Sequence, residues 1–529
     1  MKRILLSVSV FVSLTVMAQE TYTNAEILTE DLNGSARYIG MGGAMEALGA
    51  EISTINTNPA GIGLFRRSMV NISGGLISQQ DAGSSKYGDA TTVSLDQIGF
   101  VWSNSFGNGK YINIGFNYKK NRNFNNILNA SGTLDGSSQN MNSYMNLMDA
   151  RGNDTSADWL NNYNVSQLDA LYYKTFIGDA NDNNLYYNVA DAYIMNRATK
   201  GYMGEYNINV SGNVSNRVYL GLTIGFVDVN YKSWTSYAES LQNSQNQNIG
   251  SILVSDRRDI TGTGINVKAG AIIFPIEESP FRIGVYMSSP TWYDLRTYNS
   301  TYLINNAQTG GTPINANYSS EGDYSYRIYS PWKFGLSLGH TISNFVALGA
   351  SYEFADYSKI NNRIIHGYDA YGQAQTYKDV EMNDHTERSL KGVSTLKLGA
   401  EVKATPEVAI RLGYNLSSPM YRNEAYRDGT IYSLGTYYSS QTDYTNWGAT
   451  NRLTCGLGYS KGAFAIDLAY QYSNTNGEFH PFMDSSATYS WDNNGDGTID
   501  EVQNVVNKAD AVNINNKRHQ VIATVSYKF

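Results

Sequence analysis

Alternation with a period of two, sustained over long runs, constrains what this chain can fold into more than any other feature. In the last segment Val521, Ala523, Val525, Tyr527 and Phe529 share one face, while Gln520, Thr524, Ser526 and Lys528 share the other. The same design recurs in Val346, Leu348, Ala350, Tyr352 and Phe354, in Val408, Ile410, Leu412, Tyr414 and Leu416, and in Phe464, Ile466, Leu468, Tyr470 and Tyr472. Soluble strands usually run for about 5 or 6 residues, whereas about 9 to 11 tilted residues cross a bilayer; these runs reach the longer class. Composition supports strands whose two faces meet different solvents. Only 16% of the residues are charged, Tyr outnumbers Phe by 42 to 17, and Gly is used 49 times. An ordinary soluble domain carries about 25% charge.

Candidate strands fall near 67–80, 93–105, 111–121, 201–213, 217–232, 259–274, 281–296, 324–340, 345–359, 391–404, 407–420, 447–459, 463–475 and 517–529. That makes fourteen, and an even number fits a closed antiparallel barrel. The links alternate: short at Phe106 to Lys110, Val214 to Asn216, Pro275 to Pro280, Thr341 to Asn344, Thr405 to Pro406 and Ser460 to Gly462, long elsewhere. Short turns on one side and long loops on the other predict an all-β, transmembrane antiparallel barrel with its long loops outside the cell.

The one continuous apolar stretch is N-terminal: Lys2 and Arg3 precede Ile4 to Val16, and the run ends at Met17, Ala18, Gln19. This is the pattern of a secretory signal peptide over 1–18, and the run falls short of the about 20 residues of a membrane-spanning helix. Cleavage after Ala18 would remove two basic residues, taking the net charge from −8 to −10. Such a charge argues against a nucleic-acid partner. The expected location is the outer membrane, with lipid around a monomeric barrel. Cys455 is the single cysteine, so the chain can form no internal disulfide.

Strands begin only near residue 67, which leaves residues 19–62 as a separate element before a barrel over 63–529. Ser35-Ala36-Arg37-Tyr38-Ile39-Gly40-Met41-Gly42-Gly43-Ala44, followed by Ile55-Asn56-Thr57-Asn58-Pro59-Ala60-Gly61, resembles the N-terminal hatch of the FadL-type outer-membrane transporters of long-chain fatty acids and other hydrophobic compounds. Ile283 through Leu295, with Tyr286, Ser288, Ser289 and Pro290, is similar to a strand in which that family carries a Tyr-x-Ser-Pro element. The resemblance implies a fourteen-stranded lumen plugged by the hatch, with substrate leaving sideways through a kinked strand. It makes Gly40, Gly42, Gly43, Asn58, Pro59, Ala60 and Gly61 the expected gate. Their chemistry suits a plug, since glycine allows close backbone approach and proline offers no donor to a strand ladder. A segment that merely caps the barrel is the alternative.

The connection over 122–200 is far too long for a hairpin and contains two helical stripes. Met141, Tyr144, Met145 and Met148 form one; Leu168, Leu171, Tyr172 and Phe176 form the other. Either they pack on each other as an external cap, or their adaptable side chains form a greasy landing site for a hydrophobic ligand. Lys397 and Arg411, on the polar faces of neighbouring strands, are candidates for a ligand's anionic head group. Glu401 lies across the short turn from Arg411 and offers it a salt bridge instead. The sequence calls for no required cofactor. Asp492, Asn494, Asp496, Thr498 and Asp500, with Gly497 among them, follow the first nine positions of a calcium loop, but position 12 is Gln503 where the motif has Glu. An Asn-Gly-rich hairpin loop without an ion is the alternative.

The five histidines are scattered, and no His-Glu-x-x-His or Gly-x-Ser-x-Gly pattern appears, so an enzyme is not expected. The expected function is uptake of hydrophobic small molecules such as long-chain fatty acids through a hatch-gated, porin-like channel. The alternatives are a barrel subunit of a surface or protein-secretion assembly, an adhesin, or an open porin, which a plug would argue against.

Overall fold

The computed structural model describes residues 20–529 apart from 84, 108, 153, 155, 157–158, 163–164, 178–184, 244, 310–311, 314–315, 428–437, 439 and 492–500. The side chains of a few flanking residues, Phe176 among them, are also outside the described set, as are the leader over 1–18 and the whole calcium motif from Asp492 to Asp500.

The wall is built in chain order from β1 (Met69–Gln79), β2 (Thr91–Ser105), β3 (Tyr111–Asn123, continued by Asn126–Thr133), β4 (Val189–Ser215), β5 (Val218–Gln242), β6 (Asn248–Ile273) and β7 (Arg282–Ser288, continued by Trp292–Asn305). It continues through β8 (Ala316–Tyr329 and Lys333–Ile342), β9 (Val346–Asp356), β10 (Gly392–Lys403), β11 (Val408–Ser417), β12 (Tyr444–Lys461), β13 (Phe464–His480) and β14 (Val512–Lys528). Every neighbour is antiparallel, and β14 pairs back onto β1 from Met69↔Lys528 to Gln79↔Arg518. The ring of fourteen strands is therefore closed, with β14 as the neighbour of β1.

Its polarity is inverted relative to a soluble protein. Leu220, Leu222, Ile224 and Phe226 on β5, or Leu453 and Leu457 on β12, are exposed on the outside, while Asn207, Asn209, Thr223, Asn266, Asn415 and Thr454 are buried inside. Such a surface is stable in hydrocarbon, where the closed ladder satisfies the backbone internally. No helix among the described residues is long and apolar enough to cross a membrane.

Beyond the apolar belt β4, β5 and β6 rise into a tower 25 to 27 residues long per strand. The segment expected as a loop over 122–200 is thus partly wall: Asn126–Thr133 pairs with Thr199–Ala192 of β4. These extensions lie above the lipid, so they lack the apolar outward face that marks a membrane strand in sequence. Inside the tower sit α3 (Gln139–Arg151), α4 (Trp159–Asn162) and α5 (Gln167–Tyr172). Ser138 caps α3, accepting from the Asn140 N–H, and its hydroxyl donates to Glu239 of β5 at 2.7 Å. The capping residue therefore also fastens the helix to the wall.

The N-terminal segment runs through the lumen. α1 (Glu20–Leu28) lies beside α6 (Val380–Ser389), a helix of the β9–β10 connection, with the Thr21 hydroxyl 3.0 Å from that of Thr386 and the Tyr22 ring stacked on Tyr421. It thus reaches toward the long-loop end rather than resting at the short-turn end. A strap over residues 29–35 leads down to α2 (Ala36–Gly40), then to two single 3₁₀ turns, Ile52–Asn56 and Pro59–Leu64, and into β1.

Candidate functional site: the plugged lumen and a window in its wall

The lower lumen is filled by residues 36–65, and the wall is shaped to receive them. Gly399, Gly413 and Gly456, on adjacent strands β10, β11 and β12, abut the backbones of Met41, Gly42 and Gly40, so that a Cβ on any of them would press on the hatch. The pattern continues on β9 (Gly349 against Ala44), β8 (Gly339 against Leu48), β7 (Gly284 against Asn58 and Ala47) and β6 (Gly270 against Asn58). It extends to β5 (Gly221 against Pro59), β3 (Gly115 against Ile55) and β2 (Gly99 against Ile52), while on β4 the backbone of Gly212 lies where a Cβ on Gly63 of the hatch would press. Eleven consecutive strands thus carry a glycine where the hatch touches them. Gly42 and Gly43 also take φ of 62° and 79°, a left-handed conformation that side chains disfavour.

Buried charges tie the plug to this seat. Arg37 gives Glu401 a bidentate pair of hydrogen bonds, both 3.0 Å, and Glu401 also accepts from Arg411 at 2.6 Å. Arg411 in turn binds Asp467 at 2.6 Å. On the other side Lys397 donates to Glu46 of the hatch at 2.8 Å and stands 3.7 Å from Glu353. Both strand cations are therefore occupied by carboxylates. Tyr38, whose hydroxyl donates to Glu46 at 3.2 Å, has its pKa raised by burial and by that neighbouring carboxylate. Asn58 caps its own 3₁₀ turn by accepting from the Ala60 N–H, while Pro59, Ala60 and Gly61 are fully buried against the wall. Breaking one partner of a buried pair of this kind costs about 3 to 5 kcal/mol.

The helical stripes are buried as well. Leu168, Leu171 and Tyr172 share one core with Leu147, Trp159 and tower residues such as Met195, Leu241 and Leu303, and Met148 packs on its edge. Met141 and Met145 are covered by Val505, with Tyr144 beside them. Among the described stripe residues, Met141, Met145, Leu168, Leu171 and Tyr172 are all buried.

What opens instead is the wall. The ladder between β2 and β3 ends at Gln97↔Lys119. From there β2 continues to Thr91 paired only with β1, and β3 continues paired only with β4. The window between Thr92–Asp96 and Lys120–Asn125 is bridged by side chains: Asn125 donates to the Thr92 hydroxyl at 3.2 Å and Lys120 to Ser94 at 2.8 Å. Above it the Gln79 amide grips both the N–H and the C=O of Ile127. The strap fills the remainder. The Asp31 N–H donates to Asn121 O at 2.8 Å, and Asn33 Nδ2 reaches both Lys120 O and Asp96.

Behind the strap lies a cavity of about 210 Å³, lined by Glu26, Asp31, Ile77, Arg122, Phe124, Met420, Trp447, Arg452 and Arg518 among others. A smaller cavity of about 90 Å³, reaching Lys119, Tyr286 and Lys397, shares Asp31, Glu353 and Arg452 with it. Asp31 binds Arg122 at 3.0 Å, stands 3.9 Å from Arg518 and accepts from the Asn123 N–H at 2.9 Å. Burial alone would raise its pKa, but those partners together with Arg452 hold it below the usual carboxylate value.

Sequence reasoning did not single out Asp31, Arg122, Arg452 or Arg518. Alternation could have placed Arg452 beside Thr454, and Arg518 beside Gln520, on inward faces, but nothing local shows which segment of the hatch meets them.

A closed fourteen-stranded barrel, apolar outside and plugged by its own N-terminal segment, defines the class of plugged transmembrane β-barrels. Solved structures similar to the chain include the CymD monoaromatic hydrocarbon channel (10% identity over 95% of this chain and 98% of that one, TM-score 0.48). Others are a Pseudomonas aeruginosa FadL homologue (12%, 95% and 99%, TM-score 0.48) and the Ralstonia pickettii toluene transporter TbuX (13%, 94% and 99%, TM-score 0.46). No protein-family profile and no curated protein matches the sequence.

Proposed function

We propose that the chain, exported by a cleaved signal peptide, is an outer-membrane conduit for hydrophobic small molecules that delivers them sideways through the window between β2 and β3. The observation that supports this is the continuity of the larger cavity with that window, above a hatch seated across the lumen. A molecule in the cavity meets Ile77, Phe124, Met420 and Trp447 on one side and the strap over the window on the other. Outside the window Val93 and Leu95 face lipid, Val93 being 82% exposed. An apolar solute leaving there passes into hydrocarbon without crossing the packed hatch, so the moving part is the strap and not the plug.

Planar-bilayer conductance and uptake of a labelled long-chain fatty acid test this together. The intact barrel is expected to be nearly non-conducting yet competent for uptake, and deletion of residues 36–62 is expected to open a steady pore. A Thr92→Cys, Asn125→Cys pair, at positions that already meet across the window, crosslinked by a short bifunctional maleimide should abolish uptake while leaving the barrel closed. High conductance of the intact protein would mean a porin. Unchanged uptake after crosslinking would exclude the lateral route.

A further inference from the structure

The short-turn rim of the barrel carries a lopsided charge. Around the ring, Arg217 stands at the β4–β5 turn and Lys110 at the β2–β3 turn, with Arg66, Arg67 and Lys528 where the chain enters β1 and leaves β14. Lys461 follows at the β12–β13 turn and Lys403 at the β10–β11 turn, and all seven side chains are exposed. These five consecutive junctions hold one acidic residue, Glu407, in a chain whose net charge is −8. Exposed lysines at the long-loop end, Lys200, Lys359 and Lys508, pair with Asp89, Glu387 and Asp484. The rim cations are not met in this way. Arg66 donates to the carbonyls of Gly63 and Phe65, Arg217 to those of Phe274 and Pro275, and none of the seven has a carboxylate within 4 Å among the described residues. The facing part of the rim is different: the β6–β7 turn carries Glu277 and Glu278, and Arg282 beside it is taken by the Leu48 carbonyl of the hatch. Seven like charges along one arc repel one another, so their counter-charge comes from outside the chain.

The same five junctions each expose a large apolar side chain. Val214, Phe106, Phe529, Phe464 and Val402 are between 45% and 63% exposed. At the middle of the arc the rings of Phe100, Phe529, Tyr527 and Phe464 follow one another, with centroids 6.4, 6.1 and 4.8 Å apart. Lys461 pairs in register with Phe464, and the exposed row continues up the wall through Ile466 and Leu468. Cations at the turns with apolar rings directly above them fit a single molecule from head to tail, a charged phosphate at the polar boundary and acyl chains along the wall. A soluble polyanion would meet only the cations.

We propose that this arc holds anionic glycerophospholipids of the leaflet that meets the short turns, with their phosphates on the cations and their acyl chains on the aromatic row. The inference is independent of the conduit reading and shares with it only the orientation of the barrel. The arc includes the β2–β3 turn, so these lipids line the side of the wall that also carries the window, while the Glu277–Glu278 side repels them.

The test uses the full mature chain in dodecyl maltoside, with dioleoyl phosphatidylglycerol, dioleoyl phosphatidylethanolamine and glycerol 3-phosphate as probes. It reads lipid retained in native mass spectrometry and the midpoint of the heat-modifiable gel shift, which also checks that each variant forms the barrel. Phosphatidylglycerol is expected to be retained at about one tenth of the concentration that phosphatidylethanolamine needs, and to raise the midpoint, whereas glycerol 3-phosphate does neither. Salt at about 0.5 M should reduce that preference to about twofold. Lys110→Gln, Arg217→Gln, Lys461→Gln and Lys528→Gln together should remove it. Lys86→Gln, Lys359→Gln, Lys378→Gln and Lys508→Gln together, on exposed lysines of the long-loop end, should leave it intact. Phe464→Ala should weaken both lipids alike, about threefold. If the wild type retains the two lipids alike, or the long-loop variant loses the preference as fully as the rim variant does, the arc is not a lipid site. If glycerol 3-phosphate raises the midpoint as far as phosphatidylglycerol does, the occupant is a soluble anion and the proposal falls. Neither result touches the conduit, which uptake measures separately.

Discussion

At the scale of single residues, burial sets the behaviour of ionisable groups in the helical cap inside the tower, and Asp169 is the clearest case. It lies in the first turn of α5, 3% exposed, with Asn146 donating to it at 3.2 Å. Burial outweighs its hydrogen bonds to Ser143, Ser166 and Asn146 and pushes its carboxyl up to about 6 from an ordinary 3.8. A folded cap that holds a proton the unfolded chain has already lost becomes less stable as pH rises from about 4 to about 6, and stays so above. The linkage amounts to roughly 3 kcal/mol. Asp169→Asn removes the ionisation, so the variant is expected to protect the amides of α3 and α5 more strongly than the wild type at pH 7.5 and equally at pH 4. Pulsed hydrogen exchange, corrected for the intrinsic pH dependence, measures this. Greater protection at pH 4 only would reverse the sign and refute the argument.

At the scale of elements, the glycine seat ties wall and plug together. Gly413→Val on β11 would drive two methyl groups toward Met41 and Gly42, an overpacking that costs about 1 to 3 kcal/mol. The inward strain falls on the hatch, because β11 is held by ladders to both neighbours. Gly413→Val is therefore expected to form a normal heat-modifiable barrel with increased conductance and faster proteolysis within residues 36–48. Leu412→Val, which points into lipid, is expected to do neither. The strands were legible because lipid demands an apolar outward row. The predicted segment 407–420 contains β11 at Val408–Ser417, and predicted 391–404 contains β10 at Gly392–Lys403. The same signal fails above the membrane, where Asn126–Thr133 alternates without an apolar face. It also fails for the site. Gly399, Gly413 and Gly456 are visible in sequence as small inward residues, but their alignment with Met41, Gly42 and Gly40 is a property of register across strands. The window likewise has no local signature, since it arises where β2 and β3 part company.

At the scale of the whole molecule, the arrangement sets a plug held by most of the wall beside a strap held at one edge, and the proposed route turns on this distinction. Residues 36–65 are held by glycine contacts on eleven strands and by ion pairs through Arg37 and Glu46. Residues 29–33 are held by hydrogen bonds at the edge of a window and by Asp31 and Glu30. Far fewer groups must rearrange to free the second than the first, so the strap opens at lower free energy. The Ala36 N–H donates to the Thr524 hydroxyl of β14 at 2.7 Å, which brings α2 within disulfide reach of the wall. In a Cys455→Ser background, Ala36→Cys with Thr524→Cys can be folded under reducing conditions and then oxidised to lock the hatch in its seat. Uptake of a labelled fatty acid is expected to persist at more than about half its reduced rate once locked, because the solute turns aside above the plug. Loss of uptake on oxidation, restored by reductant, would show that the hatch itself must leave, and that the window between β2 and β3 is not the way out.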